Sequence, residues 1–315
     1  MDGFTDFPMR ALQGKSGAFS FAVSEFVRVS ATPVPPKVFH REIPELLTGG
    51  QTTTGMPVQV QILGGHPGRM AQSAINACEA GATAIDINFG CPAPTVNKHD
   101  GGASILQQPC RVREIVRAVR EATPQEIPVS AKLRLGWQDV NEIHQIASQA
   151  EAGGASWIVI HGRTKMQKYS PPIDWQKIGE VNEALSVPIV ANGDLWNLED
   201  FLRCREVTGC QHFMLGRGAL VNPLLAPQVA YELGLVKSEP PKRVCWMSLL
   251  KELSEQSQLQ VIRRRGKTLH RLKQWLNLAR KFGDFPHFDI LKKCQDESEF
   301  FATLSQLETE NFVCR

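Results

Sequence analysis

The sequence predicts an α/β protein: a (β/α)8 barrel followed by an all-helical bundle domain. Three observations predict it. Short Val- and Ile-rich runs alternate with amphipathic stretches through the first two thirds of the chain. The ends of those runs carry polar or charged residues, while their interiors are aliphatic. Beyond a Pro- and charge-rich segment, "GLVKSEPPKR" (234–243), no further strand-like run occurs.

The strand candidates, in order, are "FAVSEFV" (21–27), "MPVQVQIL" (56–63), "TAIDINF" (83–89), "IPVSAKLRL" (127–135), "SWIVIHG" (156–162), "VPIVANG" (187–193) and "QHFMLG" (211–216). Helical patterns lie between them, among them "GRMAQSAINACEAG" (68–81), "PCRVREIVRAVREA" (109–122) and "VNEIHQIASQAEAGG" (140–154). The first and third end in Ala-Gly and Ala-Gly-Gly, a helix stop before the next strand. Strands spaced by one helix each imply a parallel sheet with crossover helices. A doubly wound open sheet is the rival, and the lack of a Gly-x-Gly-x-x-Gly turn after an early strand disfavours it. The opening "MDGFTDFPMR" reads as the loop and helix that follow a strand, so the first barrel strand is expected to be missing or truncated. The hinge divides the chain into a barrel over 1–235 and a helical domain over 240–315.

The chain has 315 residues, 42% hydrophobic and 21% charged, with a net charge of +3, as for a soluble globular protein. Its eight cysteines form no Cys-x-x-Cys pair and no zinc-type spacing with histidine, so reduced thiols and no metal are expected. No apolar run approaches the roughly 20 residues of a membrane span. A cytoplasmic monomer with no membrane partner is the expectation.

Barrel active sites are built at the C-terminal ends of the strands. The residues there are Gln61, Asn88 with Cys91, Lys132 with Arg134, His161 with Arg163, Asn192, and Gly216 with Arg217. Lysine and arginine are rarely buried without a partner, so core packing explains this set poorly. "ANGD" and "LGRGAL" put glycines straight after the last two strands, where barrels bind phosphate, and Arg217 adds charge. Lys132 suits a ring that gains negative charge on reduction, though a Schiff-base lysine remains a rival. In "IDINFGCP" (85–92) the thiol of Cys91 is held between glycine and proline at a strand end. With a reference pKa of about 8.5 it is mostly protonated at neutral pH and can act as an acid. A structural buried cysteine is the bland alternative.

The ordered set "VQILG", "AIDINFGCPAPTV", "VSAKLRLGW", "IHGRT", "PIVANGD" and "MLGRG" resembles the tRNA-dihydrouridine synthases over essentially the whole chain. "SEFVRV", "KVFHREIPEL", "IDWQKIG" and "RLKQWL" look like the C subfamily, which in bacteria modifies uridine 16 of tRNA. The resemblance implies an FMN-dependent oxidoreductase reduced by NADPH. Hydride passes from reduced FMN to C6 of a uracil, and Cys91 protonates C5. It further implies that Gln61, Lys132 and His161 contact the flavin ring. Asn192, Gly193, Asp194, Gly216 and Arg217 would hold its phosphate end, and Met1 and Asp2 would lie on the first flavin-contacting loop. Asn88 would hydrogen-bond the target uracil, while Arg28, Tyr169, Arg271 and Lys273 would contact tRNA. Two departures stand out: the family's first strand and Ala-Pro are absent before Met1, and Pro94 replaces a common lysine.

Charge distribution points the same way. From Gln256 to Gly283 no acidic residue occurs, while Arg263, Arg264, Arg265, Lys267, Arg271, Lys273, Arg280 and Lys281 are basic. Leu269, Leu272, Leu276 and Ala279 would form a buried stripe, with Lys267 and Arg271 on an exposed face suited to phosphates. The other readings are a tRNA-binding protein without activity and a flavin-dependent reductase of a free pyrimidine. A basic helix has no use in the latter.

Overall fold

A computed structural model describes residues 3–259 and 268–313. Eight strand segments form one parallel sheet: β1 (Ala22–Val23), β2 (Val27–Arg28), β3 (Val58–Leu63), β4 (Ile85–Asn88), β5 (Val129–Arg134), β6 (Trp157–His161), β7 (Ile189–Asn192) and β8 (His212–Met214). Both β1 and β2 pair with β3, at Val58–Gln59 and at Ile62–Leu63, so they share one position in the sheet. From β3 to β8 each strand pairs with the next in sequence, in parallel. This is the barrel-type strand order, with a crossover helix between neighbours. Seven strand positions result, each overlapping one of the apolar runs in the sequence. Among the described residues no eighth position occurs, and no pairing joins β8 to β1.

Helices Pro67–Glu79, Pro109–Ala122, Glu142–Ala152, Gln176–Ala184 and Leu198–Thr208 follow β3 to β7 in turn. Proline occupies the first helical position of Pro67–Glu79 and Pro109–Ala122, where its missing N–H costs nothing. After Pro67–Glu79, Gly81 takes φ +101°, and a Cβ there would stand 2.8 Å from the carbonyl oxygen of Leu46. Only glycine permits both that backbone and that approach. Gly154, with φ +93°, follows Glu142–Ala152 in the same way.

Side chains alternate across each strand. Val58, Val60, Ile62, Ile85, Ile87, Ala131, Leu133, Ile158, Ile160, Ile189 and Ala191 join one apolar core with Met70, Ala74, Val112, Ile115 and Ile146 from the helices. The alternate positions are left for the inner face: Gln59, Gln61, Asp86, Asn88, Ser130, Lys132, Arg134, His161 and Asn192. The sheet is therefore apolar toward its helices and mostly polar on the other side, where Leu63, Trp157, Val159 and Val190 interrupt the polar set.

The chain forms two compact units. Of the described residues, one contains 3–6 and 20–216; the other contains 7–19, 217–259 and 268–313. Within the second, the described residues form helices only, including Phe7–Gly14, Arg217–Val221, Trp246–Leu259, Thr268–Phe282 and Glu297–Val313. Its centre is Trp275, fully buried, whose indole N–H donates to the Leu220 carbonyl at 2.8 Å. Trp246 meets Trp275 edge-on at 5.4 Å, and Phe285 meets Trp246 at 5.1 Å. The segment 234–243 lies inside this unit.

Leu133 is fully buried between sheet and helices. Leu133→Ala should lower stability by about 2–5 kcal/mol, read from the urea midpoint, because it leaves a cavity in the central strand.

Candidate functional site

The site is built outward from the strand ends. Asn88, the last residue of β4, turns its side chain back under the loop that follows. Its Oδ1 accepts from the N–H groups of Gly90 (2.9 Å) and Cys91 (3.0 Å). The Cys91 carbonyl accepts from Ala103 N–H at 3.1 Å and from Asn97 Nδ2 at 3.0 Å. Gly102 takes φ +61°, and a Cβ there would come within 2.9 Å of the same carbonyl oxygen. Arg134, at the end of β5, donates from Nε to the Gly90 carbonyl at 2.7 Å. The backbone around Cys91 is thus gripped from three directions while its side chain stays partly exposed.

Across β3 and β5, Gln61 Nε2 donates to Asp86 at 2.7 Å, and Asn88 Nδ2 donates to Gln61 Oε1 at 2.8 Å. Ser130 Oγ donates to the other Asp86 oxygen at 2.6 Å. Lys132 Nζ donates to Asn192 Oδ1 at 3.0 Å, and Asn192 Nδ2 donates to the Met214 carbonyl at 2.7 Å. Burial pushes the Lys132 ammonium down to about 8, with Arg134 adding to the effect and Asp86 opposing it. Burial pushes the Asp86 carboxyl up, against hydrogen bonds from Ser130 and Gln61 and the charge of Lys132. Arg134 is lowered by burial as well, an effect that its neighbours Tyr169 and Cys91 oppose.

The loops after β6 and β7 are tied together by Arg163. It is 1% exposed, donates from Nε to the Ser170 carbonyl at 2.7 Å and holds both carboxylate oxygens of Asp194. The Asp194 carboxylate is thereby held toward Arg163, with one bond to each of its oxygens. Gly193 takes φ +116°, and a Cβ there would lie 2.5 Å from Ile173 Cδ1 and 3.3 Å from His161 Nε2. Arg134 also donates from Nη1 to the carbonyls of Thr164 (3.0 Å) and Lys168 (2.7 Å). Its guanidinium stands 5.2 Å from the Tyr169 ring, which meets His161 edge-on at 6.2 Å. Tyr169 is 53% exposed.

The strand-end residues Gln61, Asn88, Lys132, His161 and Asn192 thus share the inner face, with Cys91 on the loop after β4. Arg28, on β2, donates to the Thr95 carbonyl of that loop at 3.3 Å. Gly216 ends the barrel unit, and Arg217 starts a helix of the second unit, its guanidinium 5.1 Å from the Phe282 ring. Met1 and Asp2 lie outside the described residues, as do Arg263, Arg264, Arg265 and Lys267.

One expectation is corrected. Helical periodicity assigns Arg271 to an exposed face, but it is 8% exposed and donates to Gln274 Oε1 at 2.8 Å. The bond three residues along holds the long side chain against its own helix. Lys273 is half-buried, its Nζ 2.5 Å from the Cys294 carbonyl. Leu272, Leu276 and Ala279 are fully buried as the stripe requires, whereas Leu269 is only half-buried. Arg280 faces Asp289 at 3.5 Å, an acidic partner from outside the basic run. Asp86 and Ser130 belong to no strand-end motif. The signal that marks them is their period-two register with Asn88 and Lys132.

Among the described residues, no helix is long and apolar enough to cross a membrane, and no group of His, Cys, Asp and Glu could hold a metal ion. The family model described as "Dihydrouridine synthase (Dus)" matches residues 1–311. A Haemophilus influenzae protein named tRNA-dihydrouridine(16) synthase is 40% identical over 310 residues, covering 97% of each chain. Proteins of the same name from Aquipseudomonas alcaligenes and Neisseria meningitidis serogroup B are 42% identical over 279 residues and 37% over 315. They cover 88% and 98% of this chain, and the matches take in 87% and 93% of those proteins.

The unfolded chain keeps the Lys132 proton to about its ordinary 10.5, while the folded one releases it near 8. More protons are then bound to the unfolded state between those values, so stability should rise with pH across that window. Urea midpoints measured from pH 7 to 10.5 should show that rise, and Lys132→Met should flatten it.

Proposed function

The chain belongs to the dihydrouridine synthase family, and from that premise we propose that it reduces the C5–C6 bond of uridine 16 in the D-loop of tRNA. The observation that carries the reading is the near-complete match to proteins named for that reaction, 40% identical over 97% of both chains. FMN is the cofactor this reading assigns, with NADPH as its reductant.

The residues of the barrel unit fit a flavin. Lys132 has three N–H donors and one acceptor, Asn192, which leaves donors for the electron-rich edge of a ring. Gln61 has one amide N–H beyond those engaged. Gly193 lets the backbone pass close against Ile173 and His161, where a Cβ would lie 2.5 Å from Ile173 Cδ1, so the main chain and not a side chain lies beside His161. Gln61, Lys132 and His161 would hold the ring, and the main chain of Asn192, Gly193, Asp194 and Gly216 the phosphate end. When bound, the reduced flavin supplies the hydride for C6.

The protein's own part is to hold the uracil and deliver one proton. Addition at C6 leaves electron density at C5, and the Cys91 thiol answers it: the S–H bond breaks as the C5–H bond forms. The thiolate left behind is favoured by the positive charge of Arg134 nearby. Solvent restores the proton. Asn88 keeps one amide N–H beyond its bond to Gln61, available to a uracil carbonyl. The base must leave its stack to reach this depth, and Tyr169 offers an exposed ring at the mouth.

Cys91→Ala should retain the flavin spectrum and its bleaching by NADPH, while dihydrouridine formation in tRNA falls roughly 100-fold or more, the usual scale for a general acid. Unchanged turnover would refute the acid role. Colourless protein that still bound tRNA would refute the flavin assignment.

A further inference from the structure

Asp86 is fully buried on β4, and the reaction described above makes no use of it. It nevertheless stands at the end of a continuous chain of hydrogen bonds. Ser130 and Gln61 Nε2 donate to its two oxygens at 2.6 and 2.7 Å. Gln61 Oε1 accepts from Asn88 Nδ2 at 2.8 Å, and Asn88 Oδ1 accepts from the N–H groups of Gly90 and Cys91 at 2.9 and 3.0 Å. The strand register supplies the contacts, since Gln61 pairs with Asp86 and Asp86 with Ser130.

The direction of this chain is determined at both ends. Backbone N–H groups can only donate, so Asn88 must turn its oxygen to the Gly90–Cys91 turn. Its amide nitrogen then needs an acceptor, which is the oxygen of Gln61. Gln61 in turn must donate, and an ionised carboxylate at position 86 offers acceptors only. A bond to a charged acceptor is also stronger than one between neutral groups.

We propose that Asp86 is a positioning residue for Cys91, anchoring the Gly90–Cys91 turn through Gln61 and Asn88 and so aiming the thiol. The catalytic meaning rests on the reading that Cys91 is the acid; the anchoring itself does not. A neutral amide at position 86 accepts more weakly and also satisfies the chain running backwards. A reversed chain would aim the Asn88 amide nitrogen at two N–H donors and release the turn. The donors gathered around Asp86, and the charge of Lys132 beside it, oppose the rise that burial imposes on its carboxyl.

A pair of substitutions separates anchoring from packing. Asp86→Asn removes the charged acceptor. Asn88→Asp puts two buried carboxylates on either side of Gln61, whose amide can satisfy only one. Together they restore every bond, with the two Gln61 bonds reversed and those from the turn unchanged. The amide introduced at position 86 donates to Gln61, Gln61 donates to the carboxylate introduced at position 88, and that carboxylate accepts from the turn. The readouts, on the purified full-length protein, are residue-resolved amide hydrogen exchange at Gly90 and Cys91 and the iodoacetamide alkylation rate of Cys91. Asp86→Asn should cut amide protection about tenfold, as loss of one charged hydrogen bond would, and change the alkylation rate. It should also lower kcat on tRNA while KM stays within about twofold. The double variant should recover protection to within about threefold of wild type, a coupling that independent sites do not show. Additive losses, or wild-type protection in Asp86→Asn, would overturn the proposal. Should Asp86→Asn fail to fold, a double variant that is equally unfolded overturns it, and one that folds with wild-type protection supports it. If the coupling appears but the wild-type protein makes no dihydrouridine, the anchor stands and the functional reading falls.

Discussion

Everything in the barrel unit follows from a sheet whose strands are buried on both sides. Parallel strands joined by crossover helices have one face covered by those helices, and here that face is aliphatic from β3 to β7. The alternate positions turn inward, where water is scarce and each polar group needs a protein partner or a ligand. Asp86, Ser130, Gln61 and Asn88 answer one another, and Lys132 answers Asn192. The polar interior is the device that orients the site, because each bond restricts the side chain that makes it.

The same requirement extends into the loops. Arg134 and Arg163 are 2% and 1% exposed, and each spends its donors on backbone carbonyls or a carboxylate from other loops. A guanidinium has five donors in a rigid fork, so a buried one ties together as many segments as it has acceptors. Arg134 joins the Gly90 turn to the 164–168 loop, and Arg163 joins Ser170 to Asp194. These loops carry Cys91, Tyr169 and the Gly193 turn, and the arginines hold them without covering the thiol.

The second unit solves a simpler problem. Its helices enclose Trp275, whose N–H finds the Leu220 carbonyl and whose ring meets Trp246. With that much apolar surface in one place, the basic residues of Thr268–Phe282 are sorted by reach as well as by helical position. Arg271 folds along the helix, Lys273 reaches a carbonyl, and Arg280 reaches Asp289.

The order of residues along the chain is enough to locate the strands and the groups at their ends. Branched aliphatic runs broken by glycine stops have few other uses, and "IDINFGCP" announces its turn residue by residue. The same text marks which side chains are polar within each run. Their partners are another matter, settled by the fold. Whether Asp86 meets Gln61 or Lys132, and whether Asp194 faces a ligand or Arg163, depends on register between strands far apart in the chain. Arg271 reads as exposed because helical periodicity assigns a direction to the Cα–Cβ bond and says nothing of where a long, flexible side chain ends. Local patterns fix faces, while the pairing of groups across those faces is a property of the folded sheet.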